Sequence, residues 1–415
     1  MGADCKSAGS AFEGSNPSPA TSVISPHYDV RVNRARVAVT AAFITNGFVV
    51  GAFVARLPDF KEILAISNGE IGRALLFSSL GILVALGPTG RLCATRGSAW
   101  VAVPSAIGLA LSTVLVGTSH SLLELTLTLF VFGFFLAVQD VSMNTHAVAV
   151  EHEANKRFMS TFHAMFSAGA LTGGFTGGLL SQWNISILKH TIVVGVVAIA
   201  AALLLKPWWM PNEIDIHPID RNKHTRNRRR PAIFWALGLI MMCGQVGEGA
   251  AGDWGGILSR TTFHASPFVS TLPYIFFSIT MVIGRFLGDY LANRFGVRRV
   301  VITSGLIASI GLFGGLIVGG IYGVIVGWVF LAAGSSTVFP LVLSMSGKMA
   351  KERFADRMAP SEGMAMVSGI AYFGFLAGPP VIGFLANLVT LRWAMMVPAL
   401  LAAYVVVAGY FTVKD

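Results

Sequence analysis

The chain has 415 residues, of which 54% are hydrophobic and 12% charged, and its formal net charge is +10. A water-soluble protein of this length needs more charged residues to cover its surface, so the composition excludes a soluble globular fold. Apolar runs of about 20 residues recur along the chain and are long enough to cross a bilayer as helices. We therefore expect an all-α polytopic membrane protein.

Residues 1–33 are rich in Ser, Pro and Gly, which predicts a disordered tail. The tail contains no apolar run of the kind that a cleavable signal peptide requires. Within it, "GSNPSPAT" at residues 14–21 begins with the Gly-Ser-Asn-Pro that the T-arm of a bacterial tRNA gene encodes when translated. We therefore hypothesise that the start codon is misassigned and that the tail derives from an upstream tRNA gene.

Twelve membrane spans are predicted, as helices rather than strands because the apolar runs are continuous instead of alternating with period two. Six spans fall in residues 34–205 and six in residues 232–412, with a basic linker at residues 206–231 between them. The spans lie near residues 35–56, 69–90, 100–118, 122–147, 159–181, 187–205, 232–254, 267–290, 299–318, 321–346, 361–386 and 391–411.

Lysine and arginine gather on one side of these spans. That side includes "DRNKHTRNRRR" at residues 220–230 and the loops after the second, fourth, eighth and tenth spans. Such loops stay in the cytoplasm, so both termini are expected there. This sorting accounts for the positive net charge without a nucleic-acid partner. The linker is interpreted as a solvated positive-inside segment, with anionic-lipid binding as the alternative.

The first and fourth spans carry polar side chains at depth. Asn46 lies near the middle of span 1, where an amide can bind a solute hydroxyl or a neighbouring helix. Asp140 and Asn144 lie one turn apart on one face of span 4. An ionisable residue in a membrane is costly and therefore a functional candidate, because desolvation penalises the charged form of a carboxyl group. Asp140 is interpreted as a proton or solute site, or as a carboxylate hydrogen-bonded to another helix.

Span 5 begins close to the end of span 4. His163 lies in its first turns and is interpreted as a partner of the span 4 end, Glu151 included, with a proton relay as the alternative. Gly169, Gly173 and Gly177 recur at every fourth position, which predicts a face where another helix packs closely.

Span 7 contains a second polar cluster, "GQVGEGAAGDW". Gln245 and Glu248 are three residues apart in a glycine-rich helix, and such loosened helices bind solutes in transporters. Trp254 is interpreted as an interfacial anchor or as a platform for a sugar-like ring. In span 8, Arg285 and Asp289 have the i,i+4 spacing of a helical ion pair, which we interpret as structural or gating, with solute contact as the alternative.

The second half of the sequence repeats the first with an offset of about 198–205 residues. "GPTGRLCATRGSAW" corresponds to "GRFLGDYLANRFGVRR", and "FGFFLAVQDVSMN" corresponds to "AAGSSTVFPLVLSMS". Two six-helix units around a central pathway are typical of transporters, in which the solute binds near the midplane.

The loop that follows span 8, "GDYLANRFGVRR", resembles the signature loop of the major facilitator superfamily. "QDVSMNTHAVAVE", "RFMSTFHAMFSAGALTG" and "GEGAAGDW" resemble the YbjJ-like branch of that superfamily and, more distantly, the fucose permeases. The resemblance covers about residues 35–412 and implies two pseudo-symmetric six-helix bundles. Ala94 and Asn293 stand where the superfamily loops usually carry aspartate, so control of the conformational state must use fewer charges here. The residues to which we assign that control are Arg91, Arg96, His163, Arg285, Asp289, Arg294 and Arg298.

The resemblance implies a proton-coupled secondary transporter that works by alternating access on a small polar, sugar-like solute. Asp140 is the nearest counterpart of a proton-coupling acid in the fourth span of the fucose permeases, and Glu248 is the carboxylate predicted to act with it. Efflux of a metabolite or drug by proton antiport and a non-transporting membrane sensor are the alternatives. The solute-contact candidates are Asn46, Asn144, Gln245 and Trp254.

Motifs of soluble catalysis are missing from the sequence. It contains no phosphate-binding loop, nucleophile elbow or zinc motif, so neither an enzyme nor ATP-driven transport is predicted. The three cysteines are isolated and indicate neither a disulfide framework nor a metal site. No cofactor is expected. We expect a monomer in the cell inner membrane, with a small-molecule solute, protons and the lipid bilayer as its partners.

Overall fold

Twelve long helices make up the part of the fold that the structure describes. The structure is a computed structural model that describes residues 26–156, 158–212, 231–354 and 360–413. The helices are α1 (Pro26–Ile63), α2 (Asn68–Arg96), α3 (Ser98–Gly117), α4 (Leu122–Ala154), α5 (Met159–Gln182), α6 (Ile187–Leu205), α7 (Ala232–Phe263), α8 (Pro267–Phe295), α9 (Val297–Val318), α10 (Gly320–Arg353), α11 (Pro360–Leu388) and α12 (Leu391–Thr412, interrupted at Met395).

The predicted twelve spans are confirmed. Eleven of the helices are long and apolar enough to cross a membrane by length and composition, and α5, which is rich in Gly, Ser and Thr, is the other. Several helices run one or two turns past the predicted apolar run, for example α4 to Ala154 and α10 to Arg353. Hydropathy locates the apolar stretch, whereas the backbone hydrogen-bond ladder continues into the polar residues beyond it.

The first helix corrects one expectation about the tail. Residues 26–33, predicted to be disordered, form the first two turns of α1. Residues 1–25 of the tail and residues 213–230 of the linker lie outside the described part of the chain. The start of the linker is described and forms a short 3-10 turn, Lys206–Trp208.

Polar caps define where several helices begin and end. Ser67 precedes α2, and its Oγ accepts a hydrogen bond from the backbone N–H of Glu70 at 3.2 Å while its own N–H donates to Glu70 Oε2 at 2.8 Å. This reciprocal capping box satisfies donors that the first helical turn leaves free. At the end of α4, Asn155 takes a left-handed conformation with φ of 48° and stops the helix.

The two halves of the chain pack their helices in the same way. Within the first half α1 packs on α5, α2 on α4, and α3 on α4 and α6. Within the second half α7 packs on α11, α8 on α10, and α9 on α10 and α12. Each pair in the second half is the counterpart, six helices later, of a pair in the first. The repeat seen in the sequence therefore corresponds to two six-helix bundles.

Glycines set the distance between α1 and α5. A Cβ added at Gly51 would lie 2.0 Å from the backbone oxygen of Ala170, and one at Gly169 would lie 2.0 Å from the oxygen of Ile44. Added at Gly47 or Gly173, it would lie 1.9 and 2.2 Å from a backbone oxygen. The predicted small-residue face of α5 is thus confirmed, and α1 contributes a matching face that the sequence analysis did not identify.

The helix ends define two faces of the molecule. We call the face where α1 begins and α2 ends the proximal face, and the face where α1 and α7 end the distal face. The halves meet through α1 and α7, α2 and α11, and α5 and α8. The residues discussed below lie along these three contacts and in the space that they enclose.

Candidate functional site

Polar side chains from both halves meet at middle depth. On α4, the amide nitrogen of Asn144 donates to the carbonyl oxygen of Asp140 at 2.8 Å and to its carboxylate Oδ1 at 3.1 Å. Both side chains are partly exposed. Tyr372 of α11, in the opposite half, lies within electrostatic range of both Asp140 and Glu248. The two carboxylates predicted from the sequence, one from each half, therefore both lie within electrostatic range of one tyrosine.

Glu248 has a cationic partner. Arg285 Nη2 donates to Glu248 Oε1 at 3.4 Å, and the exposed fractions of the two side chains are 26% and 31%. Arg285 Nη1 donates to the hydroxyl of Ser167 on α5 at 3.2 Å. Arg285 therefore connects α7 and α8 of the second half with α5 of the first.

The ion pair with Glu248 was not predicted from the sequence. The i,i+4 spacing predicted an ion pair between Arg285 and Asp289, and the side chain of Asp289 lies outside the described residues. That pair therefore stays a prediction. The contact with Glu248 depends on how α8 is rotated against α7, which spacing along α8 alone does not specify.

Two tyrosines of the site were missed by the sequence analysis. Tyr274 on α8 lies within electrostatic range of Glu248, Asp253 and Arg285. Tyr372 holds the corresponding place near Asp140. A hydroxyl-bearing aromatic residue in the middle of a predicted span was the available signal.

His163 contacts α1 and lies near Arg285. Its ring packs edge-on against Phe43, with centroids 5.2 Å apart, and it lies within electrostatic range of Arg285. The predicted pairing with Glu151 is wrong. Glu151 instead accepts from the backbone N–H groups of Phe158 and Met159, the latter at 2.7 Å, because the start of α5 leaves those donors free.

Three of the four predicted solute contacts are buried. Trp254 is 0% exposed, and its ring lies 3.5 Å or less from the positions of a Cβ added at Gly72 and Gly383. It therefore packs between α2 and α11 and is neither an interfacial anchor nor a platform in the cavity. Gln245 is 8% exposed and Asn46 is 2% exposed, with the Asn46 amide 3.6 Å from the sulfur of Met143. Of the four, Asn144 is the one that the structure leaves partly open.

We expect Trp254→Phe to keep solute transport within about twofold of wild type, because the indole nitrogen of Trp254 has no hydrogen-bond partner among the described residues. Trp254→Ala should lower the thermal midpoint, since truncating a buried tryptophan costs about 3–5 kcal/mol. Transport and melting of the two variants would be measured together. A large loss of transport in Trp254→Phe with normal melting would contradict the packing role.

The loop arginines make their recorded contacts within their own half. Arg96 lies 4.7 Å over the ring of Trp100, and Arg91 is exposed. Arg294 donates to the hydroxyl of Tyr290 at 2.8 Å, and Arg298 donates to the carbonyl of Tyr410 at 2.9 Å. Their role in controlling the conformational state stays a prediction.

A buried ionic network joins the two halves at the distal face. Asp59 on α1 accepts from Arg56 Nη1 at 2.6 Å, from the Ser181 hydroxyl of α5 at 2.8 Å and from Arg260 of α7. Arg260 Nε also lies 2.8 Å from Glu62 Oε1. Asp59 is 7% exposed and Arg56 2% exposed. We call Asp59, Arg56, Arg260 and Glu62 the distal network.

The sequence analysis did not identify this network. The i,i+3 spacing of Arg56 and Asp59 beside Pro58, at the end of an apolar run, was the signal. Its partner Arg260 is 201 residues away from Asp59, a separation that helical periodicity does not address.

Further contacts between the halves surround the network. The backbone N–H of Gly69 donates to Asn387 Oδ1 at 3.2 Å, and that of Phe268 donates to Gln182 Oε1 at 3.3 Å. The rings of Phe175 and Phe268 meet edge to face at 5.4 Å. These contacts close the space between the halves at the distal face. Asp140, Asn144, Glu248 and Arg285 are partly exposed.

No metal cluster accompanies this arrangement: in the part of the chain that the structure describes, no three His, Cys, Asp or Glu side chains gather to hold a metal ion. The chemistry available to the cavity comes from carboxylates, a guanidinium, an amide and hydroxyl groups. Such groups can bind protons and a hydrogen-bonding solute.

A family model described as Major Facilitator Superfamily matches residues 39–251 and 255–415. Similar proteins include the membrane protein MosC of Rhizobium meliloti, 26% identical over 90% of this chain and 89% of its own. An uncharacterised transporter y4wD of Sinorhizobium fredii is 30% identical over 89% of this chain and 96% of its own. An uncharacterised MFS-type transporter of Yersinia pestis is 27% identical over 88% of this chain and 92% of its own.

Solved structures share the fold at low sequence identity. A point mutant of the nucleoside transporter NupG superposes with a TM-score of 0.72 at 14% identity over 92% of this chain and 100% of its own. A bacterial homologue of the human lysosomal transporter Spinster superposes with a TM-score of 0.71 at 13% identity over 94% of this chain and 97% of its own. At these identities the likeness concerns the fold.

Proposed function

The chain belongs to the major facilitator superfamily of membrane transporters, and we propose that it is a proton-coupled carrier of a small polar solute. It works by alternating access in the cell inner membrane. One observation carries the proposal: Asp140 and Glu248, from opposite halves, lie within electrostatic range of the same tyrosine, and the distal network joins the halves on one side. A proton-coupled carrier needs an ionisable site within the membrane, and that site must be accessible from only one side of the membrane at a time.

The orientation rests on the distribution of charge. Lysine and arginine gather at the proximal face, which we therefore place in the cytoplasm. In this orientation the cavity is open to the cytoplasm and closed to the outside. Rocking of the two bundles would break the distal network and turn the cavity outwards.

The two carboxylates have different surroundings, which supports different parts in proton coupling. The hydrogen bond recorded for the Asp140 carboxylate comes from the neutral amide of Asn144 and not from a cation. A proton that binds Asp140 would therefore neutralise the carboxylate without displacing a cationic partner. Glu248 shares its charge with Arg285, so a proton on Glu248 would release the guanidinium. Loading of protons therefore alters a contact within the second half and, through Ser167, the contact between the halves.

We expect solutes of the transported class to raise the external pH of lightly buffered cells that overexpress the protein. Asp140→Asn and Glu248→Gln should each reduce this alkalinisation about tenfold or more, since hydrogen bonds and pairs to charged groups contribute roughly 1.5–3 kcal/mol. The signal would be recorded for a panel of small polyols, sugars and their acids. Glu352→Gln, which removes an exposed carboxylate from α10, is the matched control.

Membrane expression of each variant would be checked beside the transport signal. Solute-dependent acidification would instead favour efflux by antiport. Binding of a solute to the purified protein without flux in proteoliposomes would favour a sensor. A signal unchanged in both carboxylate variants would overturn their assignment to proton coupling.

A further inference from the structure

Among the described residues, Arg285 makes two recorded side-chain contacts. A guanidinium has five N–H donors, and two of them make the contacts recorded for Arg285. The pair with Glu248 measures 3.4 Å, whereas charge-assisted N–H···O bonds are usually about 2.7–2.9 Å. With 26% of the side chain exposed in a cavity between the halves, the guanidinium can accept a better anionic partner.

Carboxylates and hydroxyl groups lie near Arg285 and the two tyrosines. Asp140, Glu248 and Asp253 lie within electrostatic range of the two tyrosines of the site. Among the described residues that these contacts bring together, Arg285 is the one permanent cation. Hydroxyl groups of Tyr274, Tyr372 and Ser167 and the amide of Asn144 could bind the oxygens of a polyhydroxylated molecule.

We infer that the solute carries a carboxylate group that binds Arg285 in place of Glu248, and that it belongs to the small hydroxylated carboxylic acids. The inference rests on the proposed function and names its substrate class. A planar guanidinium matches a carboxylate with two parallel hydrogen bonds, a geometry that the long contact with Glu248 does not achieve.

Charge balance then links the solute to the proton. When the solute carboxylate binds Arg285, an ionised Glu248 beside it would place two anions on one cation. A proton on Glu248 removes that repulsion, so solute and proton enter together. When the solute leaves to the cytoplasm, Glu248 loses the proton and returns to Arg285, the arrangement seen in this structure.

A neutral polyol would give no such link. It would leave Arg285 paired with Glu248, and the proton on Glu248 would be independent of the solute. The inference therefore predicts discrimination between molecules that differ only in a carboxylate.

Matched pairs of small molecules test this prediction. Gluconate and sorbitol, and glycerate and glycerol, differ by a carboxylate in place of a hydroxymethyl group. We expect the acid of at least one pair to raise the thermal midpoint of the purified full-length protein and its neutral partner to have no effect. Arg285→Gln should weaken binding of the acid at least tenfold, and Arg285→Lys should retain part of it. Arg353→Gln, which removes an exposed arginine at the end of α10, should bind as wild type.

The outcomes separate the inference from the proposed function. Equal or stronger binding of the neutral partner, or acid binding that survives Arg285→Gln, overturns the carboxylate assignment. The proposed function stands in that case if the same solute alkalinises the medium of expressing cells. A panel in which no acid and no polyol binds or moves protons overturns both.

Discussion

Replacing Asp59 by alanine will open the distal face and reduce solute uptake at least about tenfold. Asp59 is 7% exposed and neutralises Arg56 and Arg260, which belong to different halves. Removing one partner of a buried ion pair typically costs about 3–5 kcal/mol, because it leaves an uncompensated charge. That cost falls on the distal-closed state alone, since opening allows water to reach both guanidinium groups. A difference of about 1.4 kcal/mol already changes the ratio of two states about tenfold.

Labelling of a single cysteine measures the shift. Thr271 is 3% exposed, and its hydroxyl lies 2.5 Å from the position of a Cβ added at Gly178 on the other half. In a background without native cysteines, Thr271→Cys should react slowly with an external maleimide and about tenfold faster when Asp59→Ala is added. Uptake would be measured in the same cells.

Glu62→Ala is the matched control within the distal network. Its carboxylate also pairs with Arg260, but its side chain is 46% exposed, so solvent already screens the pair. Labelling and uptake of this variant should stay close to wild type. Slow labelling together with normal uptake in Asp59→Ala would show that the network is not the closure of the distal face.

Gly51→Val will prevent the first bundle from assembling. The new Cβ would lie 2.0 Å from the carbonyl oxygen of Ala170, and the atom that it meets is backbone rather than a flexible side chain. The two helices also pack closely at Gly169, whose added Cβ would lie 2.0 Å from the oxygen of Ile44. Because of this second close contact, α1 and α5 cannot move apart locally at Gly51. Overpacking costs about 1–3 kcal/mol where side chains can adjust, and we expect a larger loss here.

Size-exclusion chromatography of detergent extracts checks this result, with little monodisperse Gly51→Val protein expected. The control is Gly87→Val in α2, where an added Cβ meets nothing within 4 Å and the variant should be extracted normally. A Gly51→Val protein that is monodisperse and melts as wild type would show that the crossing can widen.

The twelve helices and their repeat could be predicted from the sequence because both follow from local properties. A run of apolar residues must be helical in a bilayer, since the backbone there has no water to bond with. The offset of about 200 residues between similar segments required two similar bundles, and the pairing of α1 with α5 and of α7 with α11 follows that repeat. The face of Gly169 and Gly173 was visible in the same way, from spacing along one helix.

The composition of the site could be predicted only in part. Asp140, Asn144 and Glu248 were identified as candidates because a polar residue within an apolar membrane span is costly and therefore points to a functional or a helix-packing role. Trp254 was misassigned because an aromatic ring suits a membrane interface, a cavity or a helix contact equally well by sequence, and its 0% exposure is a property of three packed helices.

Local sequence was enough to establish the fold class, the number of spans and the presence of carboxylates within them, because the bilayer acts on each segment separately. The pairing of Arg285 with Glu248, and of Asp59 with Arg56 and Arg260, became visible only in the packed molecule. Partners such as Asp59 and Arg260 are 201 residues apart, on helices of different halves. Whether two such charges form a pair depends on how each helix is rotated and on which conformation the halves adopt. Hydropathy and residue spacing specify neither the rotation nor the conformation.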